Sequence, residues 1–286
     1  MRTSADLSLR DATPGDLPAI AQLRDGVGWA THEWALRAVI GRPHARCVVA
    51  LGADVIAAVG SGIAYGPLGF VGNMIVAKPY RRRGLGSKVL ATITGFLESA
   101  GCSRLELNAT SEGRPLYERH GFETIGTSWT ARIGRDIRLS AGGGVELRQA
   151  GLGDLEGLTA YDLPRFGGDR RPLLELLLVD PAARLLVAED GGAMVGYACV
   201  RTDTPRIGPF VADEPDAAET LLRRAFELVP VAGELRLNLP PNNRPGAAWL
   251  RRLGVEVEPW DGRMGRGPQI PRRDDTIYGM AVGALG

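Results

Sequence analysis

The chain repeats itself, and the repeat limits its architecture more than any other feature. Leu9-Arg10-Asp11-Ala12-Thr13-Pro14-Gly15-Asp16-Leu17 is echoed by Leu147-Arg148-Gln149-Ala150-Gly151-Leu152-Gly153-Asp154-Leu155. Each copy reads as a strand running into a helix start. Asp16 and Asp154 fall where a carboxylate suits the positive end of the helix dipole. Val49-Ala50 is matched by Val187-Ala188, each followed by a glycine-bearing turn and another apolar strand, and Leu105-x-Leu107-Asn108 is matched by Leu235-x-Leu237-Asn238. Between the copies lies Ala141-Gly142-Gly143-Gly144, a short flexible joint. The pattern predicts two copies of one α/β unit, over residues 1–140 and 145–286. A chain of 286 residues with 44% hydrophobic content has enough apolar material for two cores.

Within the first copy, Phe70-Val71-Gly72-Asn73-Met74-Ile75-Val76 reads as a buried strand, and Ala77-Lys78-Pro79-Tyr80-Arg81-Arg82-Arg83-Gly84-Leu85-Gly86 follows it. Leu85, Val89, Ile93 and Leu97 then recur every fourth residue, the apolar stripe of an amphipathic helix that stops at Gly101. A glycine-bearing turn at a helix start gathers free N–H groups and the positive end of the helix dipole, which suits an anion. Three consecutive arginines add charge at the same place. A dinucleotide-binding fingerprint would need a third glycine at position 89, which is Val, and a P-loop would need Gly-Lys-Ser/Thr where Gly86-Ser87-Lys88 stands. The ordinary alternative is a solvated charge run at a helix N-terminus.

A second landmark follows in order. Leu105-Glu106-Leu107-Asn108 is a short alternating strand, and Gly113-Arg114-Pro115-Leu116-Tyr117-Glu118-Arg119-His120-Gly121-Phe122 comes after it. Arg81-x-x-Gly84-x-Gly86 after a strand ending in Val76, with Leu116-Tyr117-Glu118-x-x-Gly121-Phe122 downstream, resembles the two motifs of the GCN5-related N-acetyltransferases (GNAT). The whole chain resembles a bacterial two-domain type in which a complete first domain precedes a degenerate second one. The implied fold is α/β: tandem GNAT folds, each a mixed, mostly antiparallel sheet flanked by helices.

The resemblance implies direct transfer of an acetyl group from acetyl-CoA, or another acyl-CoA, to the amine of a small molecule through a tetrahedral intermediate. Met74, Ile75 and Val76 would offer backbone groups to the pantetheine arm. An amide donor on this strand would also polarise the thioester carbonyl. Backbone N–H groups of Arg82, Arg83, Gly84, Leu85, Gly86 and Ser87 would cradle the pyrophosphate, with Arg81 to Arg83 adding charge. Tyr117 would be the general acid toward the leaving thiolate, since a phenol of ordinary pKa about 10 is protonated at neutral pH. Asn108 would either contact the cofactor or end its strand. The strand position where related enzymes often carry a Glu base is Gly72, so a base must come from elsewhere. His32, Glu33, Asp25 and Glu106 are the candidates, unless a water chain or an acceptor that arrives deprotonated removes the need for one. Trp29, Trp34 and Tyr65 could wall the acceptor, with Asp169, Arg170 and Arg201 contributing from the second copy. A CoA-responsive module without turnover is the rival reading.

In the second copy the residues aligned with Arg81, Gly84 and Gly86 are Asp216, Glu219 and Leu221, and Leu250 stands opposite Tyr117. That copy is therefore expected to be silent toward the cofactor and to help shape the acceptor site. A net charge of +1 offers no bulk attraction for nucleic acid or membrane. Cys47, Cys102 and Cys199 are scattered and suit small core positions rather than disulfides or a metal. No apolar run follows Met1, so a cytoplasmic protein is expected, with a monomer favoured because the repeat could satisfy itself internally.

Overall fold

The computed structural model describes residues 8–30, 32–52, 55–139, 144–230 and 233–286. The Ala141 to Gly143 part of the expected joint lies outside the described residues. The chain divides into two compact units, one formed by residues 1–123, 264–269 and 285, the other by 124–263, 270–284 and 286. The expected division at 140–145 separates the repeats. The compact units divide at Glu123 instead and trade short segments across the repeats.

The first unit runs β1 (Ser8–Asp11), α1 (Leu17–Asp25), α2 (Glu33–Arg37), β2 (Ala45–Gly52), β3 (Val55–Tyr65), β4 (Leu68–Val76), α3 (Leu85–Ser99), β5 (Arg104–Ala109) and α4 (Arg114–Arg119). Strands β1 to β4 pair antiparallel in sequence order, and β5 joins β4 in parallel. The α3 stripe is as the spacing predicts: Leu85, Val89, Ile93 and Leu97 are at most 2% exposed and share a core with Val71, Leu105 and Leu107 of the sheet. Each such side chain contributes about 1.5–3 kcal/mol by leaving water.

Two irregularities in β4 open its far end. The β4–β5 register stops at Val71 opposite Leu107, although β4 continues to Val76. Opposite β3, Gly72 faces Ser61 but Ile75 faces Val59, so Gly60 alone answers both Asn73 and Met74. This β-bulge carries Asn73 at φ +54°, the left-handed region that Asn tolerates better than most residues.

The second unit contains most of β6 (Glu123–Ile133), then β7 (Glu146–Gln149), α5 (Leu155–Phe166), α6 (Arg171–Val179), β8 (Ala183–Asp190), β9 (Ala193–Arg201), β10 (Arg206–Ala212), α7 (Pro215–Leu228), β11 (Leu235–Leu239), α8 (Arg244–Arg252), the larger part of β12 (Val257–Arg266) and β13 (Ile277–Gly279). Strands β7 to β10 pair antiparallel, β11 joins β10 in parallel, and β6 lies antiparallel on β11. The repeat seen in the sequence is thus a repeat of pairing. Leu9 faces Ala50 and Leu147 faces Ala188. Arg10 grips Asp16 at 2.8 Å and Arg148 grips Asp154 at 2.8 Å, each aspartate also accepting a backbone N–H at the start of its turn.

The traded segments are specific. Residues 264–269, from the second copy, pack on β5 of the first unit, where the buried Arg104 side chain donates to the Gly267 carbonyl at 2.7 Å. Gly267 sits at φ +89°, and a Cβ there would lie 2.1 Å from the Ser103 carbonyl oxygen, so no other residue fits. In return β6, from the first copy, is built into the second unit's sheet.

Candidate active site

The first unit holds an open pocket of about 710 Å3 where β4 parts from β5. Met74, Ile75 and Val76 form one wall, and Thr110, Ser111, Glu112 and Gly113 form the opposite one. Its floor is the start of α3, with Gly84, Leu85, Gly86 and Ser87 lining it beside Arg81 and Arg82. The first N–H groups of a helix have no partner inside the helix, so this floor presents donors and the positive dipole end to whatever enters. Gly84 at φ +76° and Arg82 at φ +63° turn the chain into the helix, and consecutive amides in such a turn converge on an anion.

The arginines do different work. Arg81 donates from Nε to the Val76 carbonyl at 2.9 Å and from its guanidinium to Glu112 at 2.5 Å, so it stitches strand end to loop. Arg82 is exposed at the pocket, and Arg119 joins it there. Arg83 is not among the lining residues; its guanidinium lies 5.9 Å from the centre of the Tyr80 ring.

Tyr117 lines the pocket from α4, 6% exposed, its ring edge-on to Phe122 at 6.1 Å. The structure therefore brings together Met74, Ile75, Val76, Arg81, Arg82, Gly84, Leu85, Gly86, Ser87 and Tyr117. Asn108 is half-buried on β5 and is not among the lining residues.

The candidate bases are not brought in. His32 is the N-cap of α2, and Glu33 is exposed on the first turn, paired with Arg37 one turn on. The reason is the helix's own pattern: Trp34, Ala35 and Leu36 face the core, which turns Glu33 outward. Asp25 is exposed at the end of α1, and Glu106 is 2% exposed and paired with Arg104. Glu112 is the one carboxylate among the lining residues. Of the aromatic wall only Trp29 lines the pocket, joined by Val27; Trp34 is buried, and Tyr65 is buried with its hydroxyl on the Leu285 carbonyl at 2.8 Å. The lining positions that no sequence motif covered, Val27 and Thr110 to Glu112, lie in connecting segments without periodicity.

Arg170 and Arg201 are engaged with partners inside the second unit. Arg170 is buried on Asp162 and Tyr197, and Arg201 is buried between Asp180 and Asp203. Asp169 accepts the Arg171 N–H at the start of α6. Burial pushes the Cys47 and Cys199 thiols up to about 12, the state of inert core cysteines.

The second unit lacks the cradle for a different reason from the one aligned residues suggest. In the first unit eight residues, Ala77 to Gly84, connect β4 to α3; in the second only Asp213 and Glu214 connect β10 to α7. Pro215 at the first helical position and the acidic residues beside it start the helix at once. Asp216 is then in the first turn, while Glu219 and Leu221 are inside the helix, 8% and 0% exposed. The Asp213 carboxylate accepts from Arg165 at 2.6 Å, from the Tyr161 hydroxyl at 3.1 Å and from Arg273 at 3.1 Å. An internal anion thus stands at the strand end. Leu250, opposite Tyr117 in the repeat, is fully buried. Among the described residues no cluster of metal-binding side chains occurs, and no helix is long and apolar enough to cross a membrane.

Comparison with known proteins places both halves in one family. Residues 15–122 match the acetyltransferase (GNAT) family model, and residues 158–279 match the acetyltransferase (GNAT) domain model. The chain is 29% identical over 237 residues to the uncharacterized N-acetyltransferase YitH of Bacillus subtilis (strain 168), covering 82% of each protein. It superposes on the crystal structure of a Pyrococcus horikoshii protein provisionally assigned as an acetyltransferase with a TM-score of 0.82 and 25% identity, over 100% of this chain and 98% of that one. A tandem GNAT protein from the clavulanic acid biosynthesis pathway shares the fold at a TM-score of 0.62 and 15% identity, over 92% and 100% of the two chains.

Proposed function

We propose that this chain, a tandem member of the GNAT acetyltransferase superfamily, moves the acetyl group of acetyl-CoA to the amine of a small molecule in the pocket of its first unit. One observation carries the reading: the open edge of β4, the start of α3 and Tyr117 line the same pocket. The α3 amides and Arg82 receive the pyrophosphate. The Met74 to Val76 backbone, released from β5, has N–H and C=O groups to offer an extended pantetheine arm. As the amine attacks, negative charge grows on the thioester oxygen, and one preorganised strand N–H is worth roughly 3 kcal/mol there. Tyr117 gives its phenolic proton to the departing thiolate.

The absence of a His or an unpaired carboxylate among the lining residues favours an acceptor that binds as the free amine or loses its proton through water. The same absence is what keeps the rival reading, a CoA sensor without turnover, in play. Calorimetric titration with acetyl-CoA tests the cofactor reading, using wild type and the double substitution Arg81→Ala/Gly84→Glu. Binding near one equivalent, lost in the variant, is expected; no binding to wild type overturns the proposal, and two equivalents would mean the second unit binds as well. Release of free CoA thiol across a panel of small amines then separates transferase from sensor.

A further inference from the structure

We propose that Arg24 and Asn73 form a clamp that positions the thioester end of the cofactor strand and ties it to the acceptor side of the pocket. The inference rests on the transferase reading above and assigns a role to two residues outside the lining set.

Asn73 occupies the bulge itself, at φ +54° and 4% exposed. Its side chain is held from both sides. Nδ2 donates to Ser61 Oγ on β3 at 2.9 Å, and Oδ1 accepts from the Arg24 guanidinium at 2.5 Å. Arg24 projects from α1 and is only 9% exposed. Its other terminal nitrogen donates to the Ala30 carbonyl at 2.7 Å, and its guanidinium lies 5.7 Å from the Trp29 ring centre. One buried, charged fork therefore holds the bulge of β4 and the segment that carries Val27 and Trp29, both of which line the pocket.

The chemistry follows from the geometry. A bulge points one N–H away from its ladder partner, and which way it points depends on the backbone angles at Asn73. A left-handed, non-glycine residue persists only where its surroundings over-determine it. Here those surroundings are the Ser61 hydroxyl and the Arg24 guanidinium, the second a charge-assisted bond in a dry setting. Because the same guanidinium fixes the Ala30 carbonyl, the acetyl carbonyl and the incoming amine are registered against one rigid group. None of the three hydrogen bonds of this network goes to the pyrophosphate end of the pocket at the start of α3.

The test is calorimetric titration of acetyl-CoA and of free CoA into wild type, Arg24→Ala, Asn73→Gly and the double variant. Glycine suits φ +54°, so Asn73→Gly keeps the backbone conformation accessible even if Arg24→Ala folds poorly. Each single change is expected to lower acetyl-CoA affinity about tenfold, the scale of one buried charge-assisted bond, while CoA affinity falls less than about twofold. The double variant is expected to be no worse than either single one, because both remove the same clamp. Equal losses for both ligands, additive losses, or unchanged acetyl-CoA affinity would overturn the clamp while leaving the transferase reading intact. Failure of wild type to bind either ligand would remove both.

Discussion

At the scale of single residues, the pocket separates side chains that act on a ligand from side chains that hold the frame. Tyr117→Phe keeps the ring and its edge contact with Phe122 but removes the phenolic proton proposed to meet the thiolate. Turnover is expected to fall about a hundredfold with CoA affinity unchanged, read from thiol release and calorimetry. His32→Ala, by contrast, is expected to leave turnover within about twofold, because α2 keeps His32 outside the pocket. Asp16 tests the frame. The Arg10 guanidinium, with help from the Thr13 N–H and hydroxyl, holds its carboxyl well below the usual carboxylate range. A carboxylate depressed in the folded state stabilises the fold above its unfolded pKa and loses that contribution as pH falls through its folded value. Asp16→Asn is therefore expected to cost about 1 kcal/mol at neutral pH, with the gap to wild type closing below about pH 4, read from denaturant midpoints. Tyr117 and the glycines were legible in the sequence because motif position and backbone need coincide at them. Asn73 and Arg24 were not: they are 49 positions apart, and no local pattern announces that pairing.

At the scale of elements, the α3 stripe declared itself through its period, and the structure places every residue of it in the core. The turn before it could be located but not resolved. Three arginines in a row look equivalent, yet Arg81 is engaged with Val76 and Glu112, Arg83 turns toward Tyr80, and Arg82 alone of the three is both exposed and lining. Arg82 stands at φ +63°, a conformation that costs a non-glycine residue about 1 kcal/mol or more. Arg82→Gly is expected to leave the melting temperature nearly unchanged, relieved strain offsetting the looser unfolded chain, while acetyl-CoA affinity falls about fivefold. A lower melting temperature with full affinity would reverse the assignment. The shortened connection before α7 was hidden from alignment by position, since strand and helix patterns on either side stay intact when a loop between them is lost. The bulge in β4 was hidden because a strand buried on both faces shows no alternation from which a slip could be read.

At the scale of the whole molecule, the two copies in the sequence do not coincide with the two compact units of the fold. Strand pairing between segments distant in sequence has no local signature, so the exchange of residues 264–269 for β6 left no trace in the sequence. Cutting at the glycine joint is accordingly expected to fail: residues 1–140 alone would lack the segment that accepts from Arg104 and covers β5. Co-expressing residues 1–140 with 145–286 is expected to restore a single species that binds acetyl-CoA, read by size-exclusion chromatography and calorimetry. A well-folded, fully active 1–140 would contradict this. The exchange also sets a clock for synthesis. The ribosome finishes the first unit's own strands by Glu123 but must reach residue 269 before β5 gains its last neighbour, a delay of roughly 10–30 s at ordinary elongation rates. Throughout that interval the nascent chain carries an unpaired strand edge, so the vulnerable moment in this protein's life falls during translation rather than after release.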